Sequence, residues 1–182
     1  MSNQQIENSF LKSKIKLRLS HLPAKNSINV LDMFSADGKI WDAIKQSMTE
    51  KKFNILRIEK KPDKKGIYLQ GDNLKFLKSI DLQKFDIIDI DAFGVPYNQL
   101  KFIFQSGYKG IIFVTFIQSV FGCLPSKMLL DIGYTENMIN KCPTLFYKNG
   151  DKKFFQWLAL NGVKKISYMK SNKKIYLFFS TN

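Results

Sequence analysis

The stretch with the most chemical content is Phe85-Asp86-Ile87-Ile88-Asp89-Ile90-Asp91-Ala92, where three carboxylates interrupt a hydrophobic run. Burying an unpaired charge is costly, so carboxylates in such a run need a partner or a function. If the run is a strand, Asp89 and Asp91 share one face and fall at its carboxyl end. Asp91 and the backbone carbonyl of Ala92 could then accept both hydrogens of an amine and orient its lone pair for reaction.

The residues that follow Asp91 could hold a planar group. Phe93 could stack on a flat ring such as a base, and Gly94 and Pro96 fix the loop that carries it. We therefore predict that Asp91, Ala92 and Phe93 are the catalytic residues. The same residues also fit another interpretation, in which an aspartate caps the next helix and the phenylalanine belongs to the core.

A second set of polar and small residues lies in Leu31-Asp32-Met33-Phe34-Ser35-Ala36-Asp37-Gly38, where an apolar run leads into a tight turn. Ligands bind where the strands of an open parallel sheet end. Small residues let the backbone approach a ligand, and only Gly38 can adopt a positive φ freely. Asp32 would repel a pyrophosphate but attract a ligand that carries an amino group and a sulfonium. With only one glycine, an ordinary strand–helix turn remains the alternative.

Two acidic residues further along complete a predicted site for S-adenosylmethionine. Glu59 ends the next strand about 20 residues after Gly38, the spacing at which an acidic residue accepts from ribose hydroxyls. Asp72 could accept from the adenine amine, or it could cap the helix that begins at Asn73 or Leu74. The predicted cofactor-binding residues are Asp32, Phe34, Ser35, Ala36, Gly38, Glu59, Lys60, Gly71, Asp72, Asn73 and Asp89.

Short apolar runs alternate with helical patterns and place these residues at the ends of neighbouring strands. Continuous Ile, Val, Leu and Phe runs between helices indicate a parallel sheet covered on both faces. The last two strands are too close in sequence for a parallel crossover, so they must form an antiparallel hairpin. This predicts an α/β fold, the Rossmann-like seven-stranded methyltransferase sheet, mostly parallel with a C-terminal antiparallel hairpin and helices on both faces. The predicted strands are 29–34, 54–59, 66–70, 85–90, 110–116, 163–170 and 174–180, and the predicted helices are 39–51, 74–80, 97–105 and 151–160.

All 182 residues are expected to form one domain, because no repeat, linker or low-complexity tract divides them. Residues 1–26 are a basic N-terminal segment whose pattern fits helix or strand, and we predict a helix. The longest apolar stretches run about eight residues, far below the roughly 20 of a membrane span, so no membrane partner is expected. The oligomeric state stays open.

The formal net charge of +14 and the pI near 9.7 predict a polyanionic partner, chiefly nucleic acid. Only Arg18 and Arg57 among the 29 basic residues are arginine, so a lysine-rich but merely solvated surface is the alternative. Cys123 and Cys142 lie far apart and the chain has one histidine, which argues against a disulfide framework and against a metal site. A cytoplasmic location is therefore expected.

The two segments together resemble the tRNA guanosine-N2 dimethyltransferase family, over roughly residues 28–120. That family has a Ser-Ala-Thr/Ser-Gly turn where this chain has Ser35-Ala36-Asp37-Gly38, and Gly71-Asp72 before a helix also matches. Its active-site segment reads Asp-Leu-Asp-Pro-Phe-Gly-Ser-Pro, against Asp89-Ile90-Asp91-Ala92-Phe93-Gly94-Val95-Pro96 here. Two departures are that Ala92 replaces a proline and that these residues include no counterpart of the family's large C-terminal RNA-binding domain.

The resemblance implies S-adenosylmethionine as methyl donor and an exocyclic base amine as acceptor, guanine N2 in tRNA by analogy. It implies that Asp91 holds the amine and Phe93 stacks on the base, and that Asp32, Glu59 and Asp72 hold the cofactor. Two other classes of protein stay open: a catalytically silent, methyltransferase-like RNA-binding subunit, and a methyltransferase for a small molecule or a protein. The presence of Asp32, Glu59 and Asp91 together argues against the silent subunit.

Overall fold

The computed structural model describes residues 8–62, 64, 66–117, 124–142, 149–171 and 174–181. The strands in these ranges are β1 (Ser27–Met33), β2 (Lys52–Glu59), β3 (Leu69–Gln70), β4 (Ile87–Ile90), β5 (Gly110–Ile117), β6 (Ser167–Ser171) and β7 (Lys174–Thr181). The helices are α1 (Asn8–Leu19), α2 (Lys39–Ser47), α3 (Asn73–Ser79), α4 (Tyr97–Gln105), α5 (Ser126–Asp131), α6 (Glu136–Lys141) and α7 (Gly150–Leu160), and a 3₁₀ turn covers Leu82–Lys84.

The seven strands form one sheet in the order β3-β2-β1-β4-β5-β7-β6. Strands β1 to β5 run parallel, and β7 is antiparallel to both of its neighbours. All of β4 is buried because helices cover both faces, which is why its residues are apolar apart from Asp89. The predicted seven-stranded, mostly parallel sheet with a C-terminal antiparallel hairpin is confirmed.

The strand order reverses at β1, which has β2 on one flank and β4 on the other. Asp32 of β1 lies in register with Arg57 of β2 and with Asp89 of β4. In open α/β sheets a crevice forms outside the carboxyl ends of the strands at such a reversal, and ligands bind in it. The topology therefore places Asp32 at the expected binding position.

Two apolar layers hold the helices against the sheet. Successive residues of a strand point to opposite faces, so Val30 enters one layer and Leu31 the other. Leu17 of α1 packs in the same layer as Val30, together with Trp41 and Ile44 of α2. As a result, α1 lies on the same face of the sheet as α2, where its side chains reach Asp89 of β4 and Tyr176 of β7. No helix in the described ranges is long and apolar enough to cross a membrane.

Several element bounds differ from the predictions. Only Leu69–Gln70 of the predicted strand 66–70 is strand, because only these residues pair with the end of β2. The hairpin starts at Ser167 rather than at 163, since Val163 bonds back to the Leu158 carbonyl and packs in the core. Helix α2 ends at Ser47 instead of 51, β4 begins at 87 instead of 85, and the short helices α5 and α6 were not predicted.

Candidate active site

The turn between β1 and α2, residues 34–38, has an unusual backbone conformation. Phe34, Ala36 and Gly38 all have positive φ angles, of 65°, 48° and 70°. For a residue other than glycine this conformation costs about 1–2 kcal/mol, and such strain is concentrated at binding and catalytic sites. The turn is therefore a candidate ligand-binding element on its backbone geometry alone.

Three backbone amides of this turn are used inside the protein. Ser35 N–H donates to the Ile58 carbonyl at 3.1 Å, and Gly38 N–H donates to the Ser35 carbonyl at 2.8 Å. Ala36 N–H donates to Oε2 of Glu59 at 2.9 Å. Dinucleotide-binding turns offer such amides to a pyrophosphate. Here these three are not available to an anion, which argues against a dinucleotide.

Gly38 cannot be replaced without moving Arg57. A Cβ at position 38 would lie 2.6 Å from Cζ of Arg57, whose side chain packs under the turn. Arg57 also donates from Nη2 to Asp42 of α2, and its Nε is buried without a hydrogen-bond partner among the described residues. The arginine thus connects β2, the turn and α2.

A cavity of about 510 Å³ lies beside the turn, a size typical of small-molecule sites, which span roughly 300–1,000 Å³. The structure brings seven of the predicted site residues to its wall: Asp32, Phe34, Ser35, Ala36, Gly38, Asp91 and Phe93. The other residues of the wall are Phe10, Leu11, Lys14, Asp37, Lys39, Ile40, Lys174 and Tyr176. The two motifs that resemble the dimethyltransferase family therefore meet in one cavity.

Asp32 and Ser35 present polar groups that no described residue satisfies. Asp32 is 4% exposed, and no described residue donates a hydrogen bond to its carboxylate. Burial, followed by the charge of Asp89, raises the pKa of Asp32 well above its usual range. Oγ of Ser35 is buried and also has no partner in the described ranges. An amino acid group would satisfy both, because its ammonium donates to Asp32 and its carboxylate accepts from the Ser35 hydroxyl.

The charges at this end of the sheet do not balance. Arg18 pairs with Asp89 and Lys14 pairs with Asp91, whereas Asp32 has neither an ion-pair partner nor a hydrogen-bond donor within the described part of the chain. When Asp32 is ionised, these five groups together carry one excess negative charge. A ligand with a net positive charge, as S-adenosylmethionine has through its sulfonium, fits this site.

Asp91 lies at the cavity wall with its carboxylate held from two sides. Lys14 Nζ donates to Oδ1 at 2.7 Å and to Oδ2 at 2.6 Å. Thr115 Oγ1 of β5 donates to Oδ1 at 2.5 Å. Burial by itself raises the pKa of Asp91, but the charges of Lys14 and Arg18 and these hydrogen bonds hold it below its usual range. Asp91 is therefore an ionised hydrogen-bond acceptor, with Phe93, which is 88% exposed, at the same cavity.

The structure does not place Asp89, a predicted cofactor-binding residue, at the cavity. Its side chain is fully buried and does not reach the cavity. Arg18 donates to both of its oxygens, each at 2.6 Å, and Trp41 Nε1 donates to Oδ2 at 2.7 Å. Alternation along β4 does put Asp89 on the face of Asp91, but one position deeper, where α1 and α2 cover it. The residue ties these helices to the sheet.

Ala92 and Glu59 lie next to the cavity rather than on its wall. The Ala92 methyl group is buried in the core, so only its backbone carbonyl is left for the predicted catalytic contact. Glu59 accepts from the amides of Ala36 and Lys61, one on each oxygen. A carboxylate offers about four acceptor positions, so ribose hydroxyls can still donate to it. Lys60 is exposed, and its predicted cofactor contact stays a prediction.

The segment Gly71-Asp72-Asn73 is also outside the cavity wall. Oδ1 of Asp72 accepts from the amides of Leu74 and Lys75 at 3.0 and 3.1 Å, so the capping interpretation is confirmed. Its other oxygen accepts no hydrogen bond from a described residue, and the predicted adenine contact stays a prediction. Asn73 accepts from the Gln99 side chain.

Sequence reasoning missed the contribution of α1. Lys14 and Arg18 are four residues apart, about 6 Å along a helix axis, and Asp89 and Asp91 are two residues apart, about 6.6 Å along a strand. This equal spacing is a signal that was present in the sequence. The rim residues Lys174 and Tyr176 of β7 gave no such signal, because only the sheet order brings them to the cavity.

No protein-family model and no curated protein sequence matches the chain. Solved structures do resemble it. An S-adenosylmethionine-dependent methyltransferase from Archaeoglobus fulgidus has a TM-score of 0.56 at 13% identity, over 96% of this chain and 94% of that one. A precorrin-6y C5,15-methyltransferase from Geobacter metallireducens has a TM-score of 0.56 at 10% identity, over 99% and 92% of the two chains.

A third structure, described as a ribosomal RNA methyltransferase from Plasmodium falciparum, has a TM-score of 0.54 at 16% identity and covers 94% of this chain and 95% of that one. These sequence identities are too low to transfer an activity, but the structural alignments cover nearly the whole chain. The protein therefore has the Rossmann-like fold of S-adenosylmethionine-dependent methyltransferases.

Proposed function

We propose that the protein is an S-adenosylmethionine-dependent methyltransferase that acts on an exocyclic amine of a nucleic acid base, guanine N2 in tRNA or another RNA. The observation that carries the proposal is that Asp32, which has no counterion among the described residues, and Asp91, an ionised acceptor, line one cavity that also includes Phe93. Asp32 fits the methyl donor, and Asp91 fits the amine that accepts the methyl group.

The donor is held, in this proposal, by residues on both sides of the β1–α2 turn. Asp32 accepts from the amino group of the methionine part, and Ser35 donates to its carboxylate. Glu59 accepts from the ribose hydroxyls at its two remaining positions, and Asp72 from the adenine amine. S-adenosylmethionine supplies a methyl group already activated by its sulfonium, so the protein mainly has to align an acceptor with it.

The acceptor is held by the segment after β4. Asp91 accepts one hydrogen of the amine and the Ala92 carbonyl accepts the other, which turns the nitrogen lone pair toward the methyl group. The exposed ring of Phe93 stacks on the base, a contact typical of aromatic residues in RNA recognition. Lys39 and Lys174 at the cavity would lie close to the phosphates of the same nucleotide.

A second candidate function is a silent RNA-binding subunit with the same fold. The Lys14–Asp91 ion pair favours it, because Lys14 occupies both oxygens of the residue that should hold the acceptor. Such a protein would bind RNA and could bind S-adenosylmethionine, but it would transfer no methyl group.

The test is transfer of labelled methyl from S-adenosylmethionine to bulk RNA, followed by nucleoside analysis. We expect label in an amino-methylated base, with N2-methylguanosine first. Asp91→Asn should lower transfer about 10²–10⁴-fold, the range of a positioned acid–base group, with cofactor affinity changed only a few-fold. Transfer to DNA or to small molecules alone would overturn the RNA substrate. No transfer to any pool, despite binding, would favour the silent subunit.

A further inference from the structure

Helix α1 pairs two cations with the two carboxylates of the β4 segment, and the two pairs differ in their surroundings. The side chains of Arg18 and Asp89 are 2% and 1% exposed. Those of Lys14 and Asp91 are 20% and 16% exposed and line the cavity. The first pair is closed off by protein, whereas the second stands where the acceptor would bind.

Lys14 and Thr115 together determine the direction from which the Asp91 carboxylate can accept a further hydrogen bond. From the described residues, three hydrogen bonds reach its carboxylate, two from Lys14 and one from Thr115. Since a carboxylate offers about four acceptor positions, these residues leave one, and it is on Oδ2. Two separate donors fix the rotation of the carboxylate, so that remaining position has a defined direction.

Arg18 keeps Lys14 in place. The two residues are one helical turn apart, and Nη1 of Arg18 donates to the Lys14 carbonyl at 3.0 Å. The guanidinium is itself fixed by Asp89 and packs on the ring of Phe113. The backbone from which Lys14 extends is therefore anchored to the buried part of the sheet. The ammonium of Lys14 also lies over the Tyr176 ring.

We infer that Lys14 is a positioning residue for the methyl transfer proposed above, holding Asp91 ionised with its one remaining acceptor position directed at the acceptor amine. The inference rests on the proposed function for its reaction and on these contacts for its geometry. Without Lys14 the cluster of Asp32, Asp89 and Asp91 would retain one ion pair among the described residues, that of Arg18 with Asp89, and the Asp91 carboxylate could rotate or take up a proton.

Lys14→Met tests this, because it keeps the length of the side chain and removes the ammonium. We expect kcat to fall about 10- to 100-fold, as for a reacting group misplaced by about 1 Å, with the affinity for S-adenosylmethionine within about threefold of the parent. Lys14→Arg should recover most of the kcat. Lys16→Met, an exposed lysine of the same helix, is the matched control and should behave as the parent.

An unchanged or higher kcat in Lys14→Met would overturn the inference, and a higher one would mean that Lys14 competes with the acceptor for Asp91. A parent protein that transfers no methyl group would instead refute the proposed function. The carboxyl-carbon NMR signal of Asp91 decides the inference in that case. The titratable groups around it are Lys14 and Arg18 of α1, Asp32, Asp89 and Tyr176. Its titration midpoint should rise in Lys14→Met, and an unchanged midpoint would refute the role of Lys14.

Discussion

Asp32 is buried with no counterion in the described part of the chain, and a folded protein retains such a carboxylate only at a cost in stability. Its two acidic neighbours, Asp89 and Asp91, each have a cation from α1. A ligand that brings a positive charge relieves this cost when it binds. Part of the free energy of folding lost by burying the carboxylate is therefore regained as binding free energy. Residues of this kind are typical of binding sites, where stability is given up for function.

Asp32→Asn should therefore stabilise the ligand-free protein at neutral pH and weaken cofactor binding. The pKa of Asp32 is higher in the folded protein than in the unfolded chain. Its contribution to stability is thus present below the unfolded pKa of about 4 and is lost as the pH rises through the folded pKa. The free energy of unfolding, measured with urea from pH 4 to pH 8, should fall less with rising pH in Asp32→Asn than in the parent.

Calorimetry on the same two proteins separates stability from binding. Loss of a hydrogen bond to a charged group costs about 1.5–3 kcal/mol, so S-adenosylmethionine should bind Asp32→Asn more weakly by that amount. Equal affinities would show that Asp32 does not contact the ligand. A variant less stable than the parent at pH 8 would show that the carboxylate has a partner in the folded protein.

The β1–α2 turn holds its shape because a glycine lets Arg57 pack beneath it. Gly38→Ala should destabilise the protein by more than the 1–2 kcal/mol or so that a left-handed alanine costs, because the added Cβ also collides with the guanidinium. Gly107→Ala is the matched control, since Gly107 has a φ of 67° and no atom of a described residue lies within 4 Å of the added Cβ. Urea denaturation measures both variants, and equal losses would show that Arg57 moves aside freely.

Helix α1 is held to the sheet by a buried ion pair rather than by apolar contacts alone. Arg18→Met should cost about 3–5 kcal/mol, because it leaves Asp89 buried with Trp41 as its remaining donor. The double variant Arg18→Met/Asp89→Leu should recover part of this loss. Lys170→Met, which breaks the exposed pair with Asp151, should change the free energy of unfolding very little. Additive effects of the two buried changes would contradict the coupling.

At the scale of the whole molecule, the sequence was enough to predict the sheet, because hydrophobic runs and connection lengths are local signals. Helix α4 was predicted at its observed bounds, whereas β3 was predicted too long since its end depends on pairing with β2. The structure brings Asp32 and Asp91 to one cavity, as parallel topology requires. The strand pattern could not show that helix α1 covers Asp89, because Arg18, which pairs with Asp89, is 71 residues away in sequence.

The excess of basic residues can be tested as a property of the surface rather than of single contacts. Lys14 and Arg18 are neutralised internally, so they add little to the field that attracts a polyanion. Lys39 is exposed at the cavity, beside the carboxyl ends of the parallel strands. Lys109 is exposed at their amino ends, just before β5 begins. If RNA enters by the cavity, Lys39→Gln should reduce the salt dependence of binding and Lys109→Gln should not.

Each phosphate that a lysine neutralises contributes about −0.7 to the slope of log affinity against log salt concentration on a single strand. We therefore expect Lys39→Gln to flatten the slope by about 0.7. The slope is measured by fluorescence anisotropy with a labelled RNA, at salt concentrations from about 50 to about 300 mM. The free energy of unfolding, measured with urea, provides the check that the fold is intact. Equal slopes for the two variants would mean that the positive charge attracts RNA without directing it to the cavity, because long-range attraction depends on the summed field and not on one position.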